Sequence, residues 1–152
     1  MDQQVCQKKV RIAIGSDHAG YSVKQDLKKL LLSRGYDVED FGCYSEESVD
    51  YPEFGRRVGE AVASGLSDRG VVVCGSGIGI SIAANKVKDI RAALCFTEEY
   101  AKMSRLHNDS NVLALGSRMS GCDDPDKILD VWLNTDFEGG RHQERIEKIE
   151  ER

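Results

Sequence analysis

Cys74 is followed at once by Gly75-Ser76-Gly77-Ile78-Gly79. Three glycines at alternate positions let backbone N–H groups turn toward one ligand, and a helix opening just beyond them adds partial positive charge. Donors arranged in this way can stabilise an oxyanion such as an enediolate. A thiol beside a helix N-terminus is favoured as the thiolate, the form that can take up a proton. The loop lacks the Gly-Lys-Ser/Thr ending of a nucleotide phosphate loop. It also departs from G-x-G-x-x-G, because the third glycine counted from Gly75 comes one residue early. A nucleoside triphosphate site is therefore excluded. Core burial is the competing reading for Cys74, since free cysteine is among the most buried residue types. Cys6, Cys43, Cys95 and Cys122 are read in that way.

Three further segments carry chemistry. Gly15-Ser16-Asp17-His18-Ala19-Gly20 stands where a strand gives way to a helix. Asp17 fits a helix cap, and the Asp-His pair between glycines fits a ligand contact equally well. Ser104-Arg105-Leu106-His107-Asn108-Asp109 puts His107 among polar residues, with a near-neutral reference pKa that suits a proton donor. Arg141 and Arg145 stand at i, i+4 and would share a helix face. Two guanidinia there make a fork for a phosphate, or a solvated face paired with glutamates. Arg118 carries the same two readings.

The elements that must position these residues follow from periodicity. Val10–Ile14 reads as a strand, and Val23, Leu27, Leu30 and Leu31 mark one face of a helix that stops at Gly35. Tyr36–Phe41 is a second strand. Pro52 opens a helix running through Val58, Ala61, Val62 and Leu66. Val71–Cys74 is a continuous apolar run, as expected of a strand covered on both faces. Ile80–Lys86 is a helix, Ile90–Phe96 a strand, Glu98–Leu106 a helix and Val112–Leu115 a fifth strand. Pro125 opens a helix with Ile128, Leu129, Trp132 and Leu133, and residues 140–152 form a charged last helix with Ile146 and Ile149. The alternation predicts a single α/β domain over 1–152. It is a three-layer, Rossmann-like sandwich with a mostly parallel five-stranded sheet and helices on both faces. Ligands sit at the carboxyl ends of strands in such sheets, and segments 15–20, 74–79 and 104–109 are all expected there.

The chain has 152 residues, a net charge of −5 and five cysteines. The charge argues against a general nucleic-acid binder but leaves room for a small focused anion site. The odd cysteine count without C-x-x-C argues against a disulfide framework or a zinc ribbon. No apolar run is long enough to cross a bilayer. The polar first residues lack a leader's apolar region, so a cytoplasmic location is expected.

The segments GSDHAG (15–20), SVDYPEF (48–54), VCGSGIGISIAANK (73–86), RAALC (91–95), SRLHNDSNVLALGSR (104–118) and EGGRHQERI (138–146) together resemble the type B ribose-5-phosphate isomerases. The resemblance spans about Val10 to Glu150, leaving the extension over 1–9 without a motif. It implies a base at Cys74, a position that holds Cys in some members and Glu in others. It implies that the backbone of Gly75, Ser76, Gly77, Ile78 and Gly79 holds the enediolate. His107 becomes the ring-opening acid, with Asn108 on the sugar. Asp17, His18 and Tyr51 become sugar contacts, and Arg118, Arg141 and Arg145 the phosphate contacts. The expected activity is interconversion of D-ribose 5-phosphate and D-ribulose 5-phosphate, with no metal and no cofactor. The sugar phosphate is the expected partner, with neither nucleic acid nor membrane. The resemblance also implies homodimers with shared active sites, sometimes paired into tetramers. Alternatives are an isomerase of allose or galactose 6-phosphate, a non-catalytic sugar-phosphate binder, and a thiol redox protein, the last weakened by the lack of a nearby resolving cysteine.

Overall fold

The computed structural model describes residues 8–151. The expectations for Cys6 and for most of the extension over 1–9 lie outside the described residues. Five strands, β1 (Arg11–Ser16), β2 (Asp37–Asp40), β3 (Arg69–Cys74), β4 (Ala92–Leu94) and β5 (Val112–Gly116), alternate with helices. The helices are α1 (Tyr21–Ser33), α2 (Tyr51–Ala63), α3 (Ile78–Asn85), α4 (Glu98–Asn108), α5 (Pro125–Asn134) and α6 (Arg141–Glu150). The strands form one sheet in the order β2-β1-β3-β5-β4, and every pairing is parallel. No helix among the described residues is long and apolar enough to cross a membrane.

Side chains alternate across a strand, so each central strand feeds two cores. Ile12, Ile14, Val71, Val73, Leu113 and Leu115 face the layer of α1, α4 and α5, where Leu27, Ala101, Leu129 and Trp132 meet them. Ala13, Val72, Cys74, Val112 and Ala114 face the layer of α2 and α3, against Phe54, Val58, Ile80 and Ala84. This two-sided burial explains the unbroken apolar run of β3. The connection from β1 leads to β2 on one side of it, and the connection from β3 leads toward the other edge. The crevice between the carboxyl ends of β1 and β3 is therefore the switch point of the sheet.

Several boundaries differ from the sequence reading, among them these four. β2 covers Asp37–Asp40 rather than 36–41. β4 covers only Ala92–Leu94, and the Asn85 side chain bonds both the N–H and the carbonyl of Ala92. α2 ends at Ala63, and Leu66 lies beyond the turn at Gly65, half exposed. α4 runs on to Asn108, where Asp109 ends it at φ 44°.

A buried ion pair holds the loop after β2. The Lys24 side chain is fully buried, and its ammonium donates to Asp40 Oδ1 at 2.7 Å and to the Cys43 carbonyl at 2.6 Å. Gly42 and Cys43 in turn bond both backbone groups of Ser16, just before the Asp17-His18 loop. Burial by itself would raise the Asp40 pKa, but hydrogen bonds from Lys24, Gly42 and Lys28 outweigh it and hold the carboxyl below its ordinary value. A depressed carboxyl contributes stability that is present above its unfolded pKa and is lost as pH falls through the folded one. Lys24→Ala is expected to cost about 3–5 kcal/mol, because it strands a half-buried charge. Urea unfolding at neutral pH checks this. The difference between the two proteins should shrink below the ordinary Asp range, where Asp40 becomes protonated in both.

Candidate active site

At the carboxyl end of β3 the Cys74 thiol is buried, 4% exposed, at the foot of the glycine loop. Its Sγ accepts the Gly77 N–H at 3.2 Å, so the loop folds back over the sulfur. Gly77 does this at φ 78°, a conformation that side chains disfavour. The Ile78 N–H meets the Ser76 hydroxyl at 3.1 Å, and α3 begins there. Tyr51, the first residue of α2, lies over the same helix start. A methyl group added to Gly79 would come within 2.4 Å of its ring.

The first loop joins this edge. Asp17 is buried, and its Oδ1 accepts the N–H of Gly20, the residue that precedes α1. Asp17 is therefore not the N-cap of α1, which is Gly20 with no side-chain cap; its carboxylate instead ties the loop just ahead of the helix. His18 is tied by Nδ1, 3.1 Å from the backbone of Val49, which fixes the segment leading to Tyr51. From β5, the Arg118 N–H donates to the Gly75 carbonyl at 2.9 Å. Asp17, His18, Tyr51, Cys74, Gly75, Ser76, Gly77, Ile78, Gly79 and Arg118 thus converge on the β1/β3 crevice. Ser117, which no spacing singled out, cross-links them. Its N–H donates to the Cys74 carbonyl at 2.9 Å and its hydroxyl to the Ala19 carbonyl at 2.7 Å.

His107 and Asn108 are not at that edge. A helix that leads into a parallel strand ends at the strand's amino end, and α4 does so: the Asn108 carbonyl accepts from Arg91, the residue before β4. The expected third loop at the carboxyl edge is thus the last turn of a helix at the opposite edge. Four residues of β3 separate Gly70, level with Val112, from Cys74, level with Gly116, or about 13 Å of strand. Arg141 and Arg145, on α6, belong with His107. The chain therefore carries two half-constellations, one at each edge of its sheet.

The second half has two members that the motif reading left unassigned. The His142 ring stacks on that of His107, with centroids 4.2 Å apart and planes 16° from parallel. Glu138 Oε2 lies 3.8 Å from His107 Nε2 and 3.9 Å from His142 Nε2. Two histidines and a carboxylate are the composition of a metal site, but the arrangement opposes one. An ion cannot lie in the planes of two parallel stacked rings at once, and Arg141 and Arg145 already bring positive charge. His142 is 4% exposed, and Arg145 Nη1 reaches its Nδ1 at 3.4 Å. Burial first, then the facing His107 ring and the two guanidinia, push the His142 pKa below the ordinary value, against the pull of Glu138.

A parallel α/β sandwich with a thiol under an anion-binding loop at its switch point fits an enzyme that handles a small oxyanionic intermediate. The chain belongs to the ribose/galactose isomerase family, whose pattern matches residues 12–149. It is 48% identical over 139 residues to ribose-5-phosphate isomerase B of Escherichia coli, covering 91% of this chain and 93% of that protein. Its fold superposes on ribose-5-phosphate isomerase B of Clostridium thermocellum with a TM-score of 0.90. The two chains are 56% identical, with 93% of this chain and 95% of the other covered. The Mycoplasma genitalium ribose-5-phosphate isomerase B, solved with bound ribulose-5-phosphate, matches with a TM-score of 0.88. It is 40% identical, with 93% of this chain and 94% of that one covered.

Proposed function

We propose that this chain interconverts D-ribose 5-phosphate and D-ribulose 5-phosphate as a single isomerase domain, with Cys74 as the base. The observation that carries the reading is the Cys74 sulfur beneath the glycine loop, accepting the Gly77 N–H, at the sheet's switch point. Ribose 5-phosphate enters as a closed ring, and an acid must protonate the ring oxygen as the C1–O bond breaks. His107 is that acid, with Asn108 beside it on the sugar. The Cys74 thiolate then removes the C2 proton. The resulting enediolate oxygens are held by the backbone N–H groups of Gly75, Ser76, Gly77, Ile78 and Gly79. Donating a proton from the thiol to C1, as the O2 hydroxyl proton passes to O1, gives the ketose and regenerates the thiolate, so no electrons leave the sugar, and the thiol proton can exchange with solvent between the two transfers.

Asp17, His18 and Tyr51 hold the sugar hydroxyls, and Arg118, Arg141 and Arg145 bind the phosphate. The chemistry needs neither metal nor nucleotide. Because His107 and Cys74 occupy opposite edges of one sheet, a working centre is completed by His107 of the partner subunit. A homodimer with two shared sites, itself able to pair into a tetramer, meets that need. The four described cysteines are unpaired, in keeping with a reducing cytoplasm and with a place in the pentose phosphate pathway.

A panel of ribose, allose and galactose phosphates tests the substrate. The highest kcat/KM is expected for ribose 5-phosphate. A preference for a six-carbon phosphate would overturn the pentose reading. Release of the C2 proton to solvent separates an isomerase from a mere binder.

A further inference from the structure

Glu138 enters the His107 cluster by its backbone as well as its side chain. Its N–H donates to the Leu106 carbonyl at 3.1 Å, one residue before His107, which clamps the segment preceding α6 onto the end of α4. The His142 N–H then bonds the Gly139 carbonyl at 3.2 Å, across the turn that opens α6. One carboxylate oxygen is thereby set at nearly equal distance from Nε2 of two stacked imidazoles. Every part of this arrangement comes from a different piece of chain: the last turn of α4, the 138–140 turn and the first turn of α6.

We propose that Glu138 is a positioning residue for the ring-opening acid, holding the His107 imidazole against His142 with its Nε2 toward the carboxylate. This rests on the reading of His107 as that acid. Two stacked imidazoles cannot both be charged cheaply at about 4 Å. The groups facing them are Glu138 from the turn and Arg141 and Arg145 from α6. The guanidinia lie on the His142 side, with Arg145 against its Nδ1, so His142 is the ring that gives up charge. Its depressed pKa agrees with that assignment. The Glu138 carboxylate bridges Nε2 of both rings, and the half-exposed His107 is the one open to substrate.

The chemistry of the two substrates separates this role from general damage. Ribose 5-phosphate cyclises through its C4 hydroxyl. Ribulose 5-phosphate has its C5 oxygen esterified, so it cannot close a five-membered ring and reaches the enzyme open. Loss of ring opening therefore lowers turnover of the aldose while sparing exchange of the C1 proton of the ketose with solvent. Glu138→Gln keeps the size of the side chain and removes its charge. Its expected effect is about a tenfold lower kcat for ribose 5-phosphate at neutral pH. C1 exchange from ribulose 5-phosphate should stay within about twofold of the parent. Glu138→Asp should recover part of the loss.

His107→Asn, run beside it, keeps the two readings apart. If His107→Asn shows the selective loss and Glu138→Gln does not, the positioning role is overturned and the acid stands. If His107→Asn lowers aldose turnover and ketose C1 exchange equally, the acid itself is misassigned. Equal loss of the two by Glu138→Gln marks a purely structural residue and also overturns the proposal.

Discussion

Replacing Cys74 with Ser is expected to lower kcat for ribose 5-phosphate by about 10²–10⁴-fold with the fold and phosphate binding kept. Ser Oγ can still accept the Gly77 N–H that Cys74 Sγ accepts at 3.2 Å, so the loop retains its closing bond. What disappears is the proton-accepting group, because a hydroxyl stays protonated in the range where a thiol at a helix start ionises. Cys74→Ala tests the other half of the statement. It leaves the Gly77 N–H without its partner and so should disturb the glycine loop as well, giving a loss at least as large. Cys95 lies on the opposite face of the sheet, and burial pushes its pKa up to about 11. Cys95→Ser is therefore expected to leave turnover unchanged. Initial rates, far-UV circular dichroism and exchange of the C2 proton check these outcomes together. Near-parental turnover by Cys74→Ser would remove Cys74 from the mechanism.

The ease of reading the first half of this site from sequence has a physical cause. Its residues sit in loops that directly follow β1, β3 and β5, and a strand in a parallel sheet announces itself by an apolar run. Locating Val71–Val73 fixes where Cys74 and its glycines must lie. Ser117 escaped because its work is done by hydrogen bonds to the Ala19 and Cys74 carbonyls, and neither partner leaves a trace in local spacing. Lys24 escaped for a related reason. A lysine on a helix face reads as solvated until Asp40 and the Cys43 carbonyl enclose it.

The second half was misplaced because periodicity gives the type of an element more surely than its end. Stopping the fourth helix at Leu106 made His107 look like a loop residue. Two further residues, ended by Asp109 in a left-handed conformation, put it on α4. The edge of the sheet then follows from topology alone, since connections from helix to strand always reach the amino ends. Glu138 offered no signal, as its role depends on the fold-back that brings α6 onto α4. The resemblance implies partners for a site whose halves one chain keeps apart.

That separation makes a mixing experiment decisive. Let one variant carry Cys74→Ser and a second carry His107→Asn, each nearly inactive toward ribose 5-phosphate as a homodimer. When equal amounts are unfolded together and refolded, random pairing makes half of the dimers hybrids. In a hybrid, one shared site receives both substitutions and the other receives neither. Half the dimers then carry one intact site of two, so recovered turnover should approach about one quarter of the parent protein's, from two samples that each had almost none. A site built within one chain predicts a different result: every centre in the mixture would still carry one substitution, and activity would stay at the sum of the two parents. The sheet favours the first outcome, because about 13 Å of β3 and β5 lies between the Cys74 edge and the edge where α4 ends. No side-chain rotation spans that distance within a packed core whose central strands are buried on both faces.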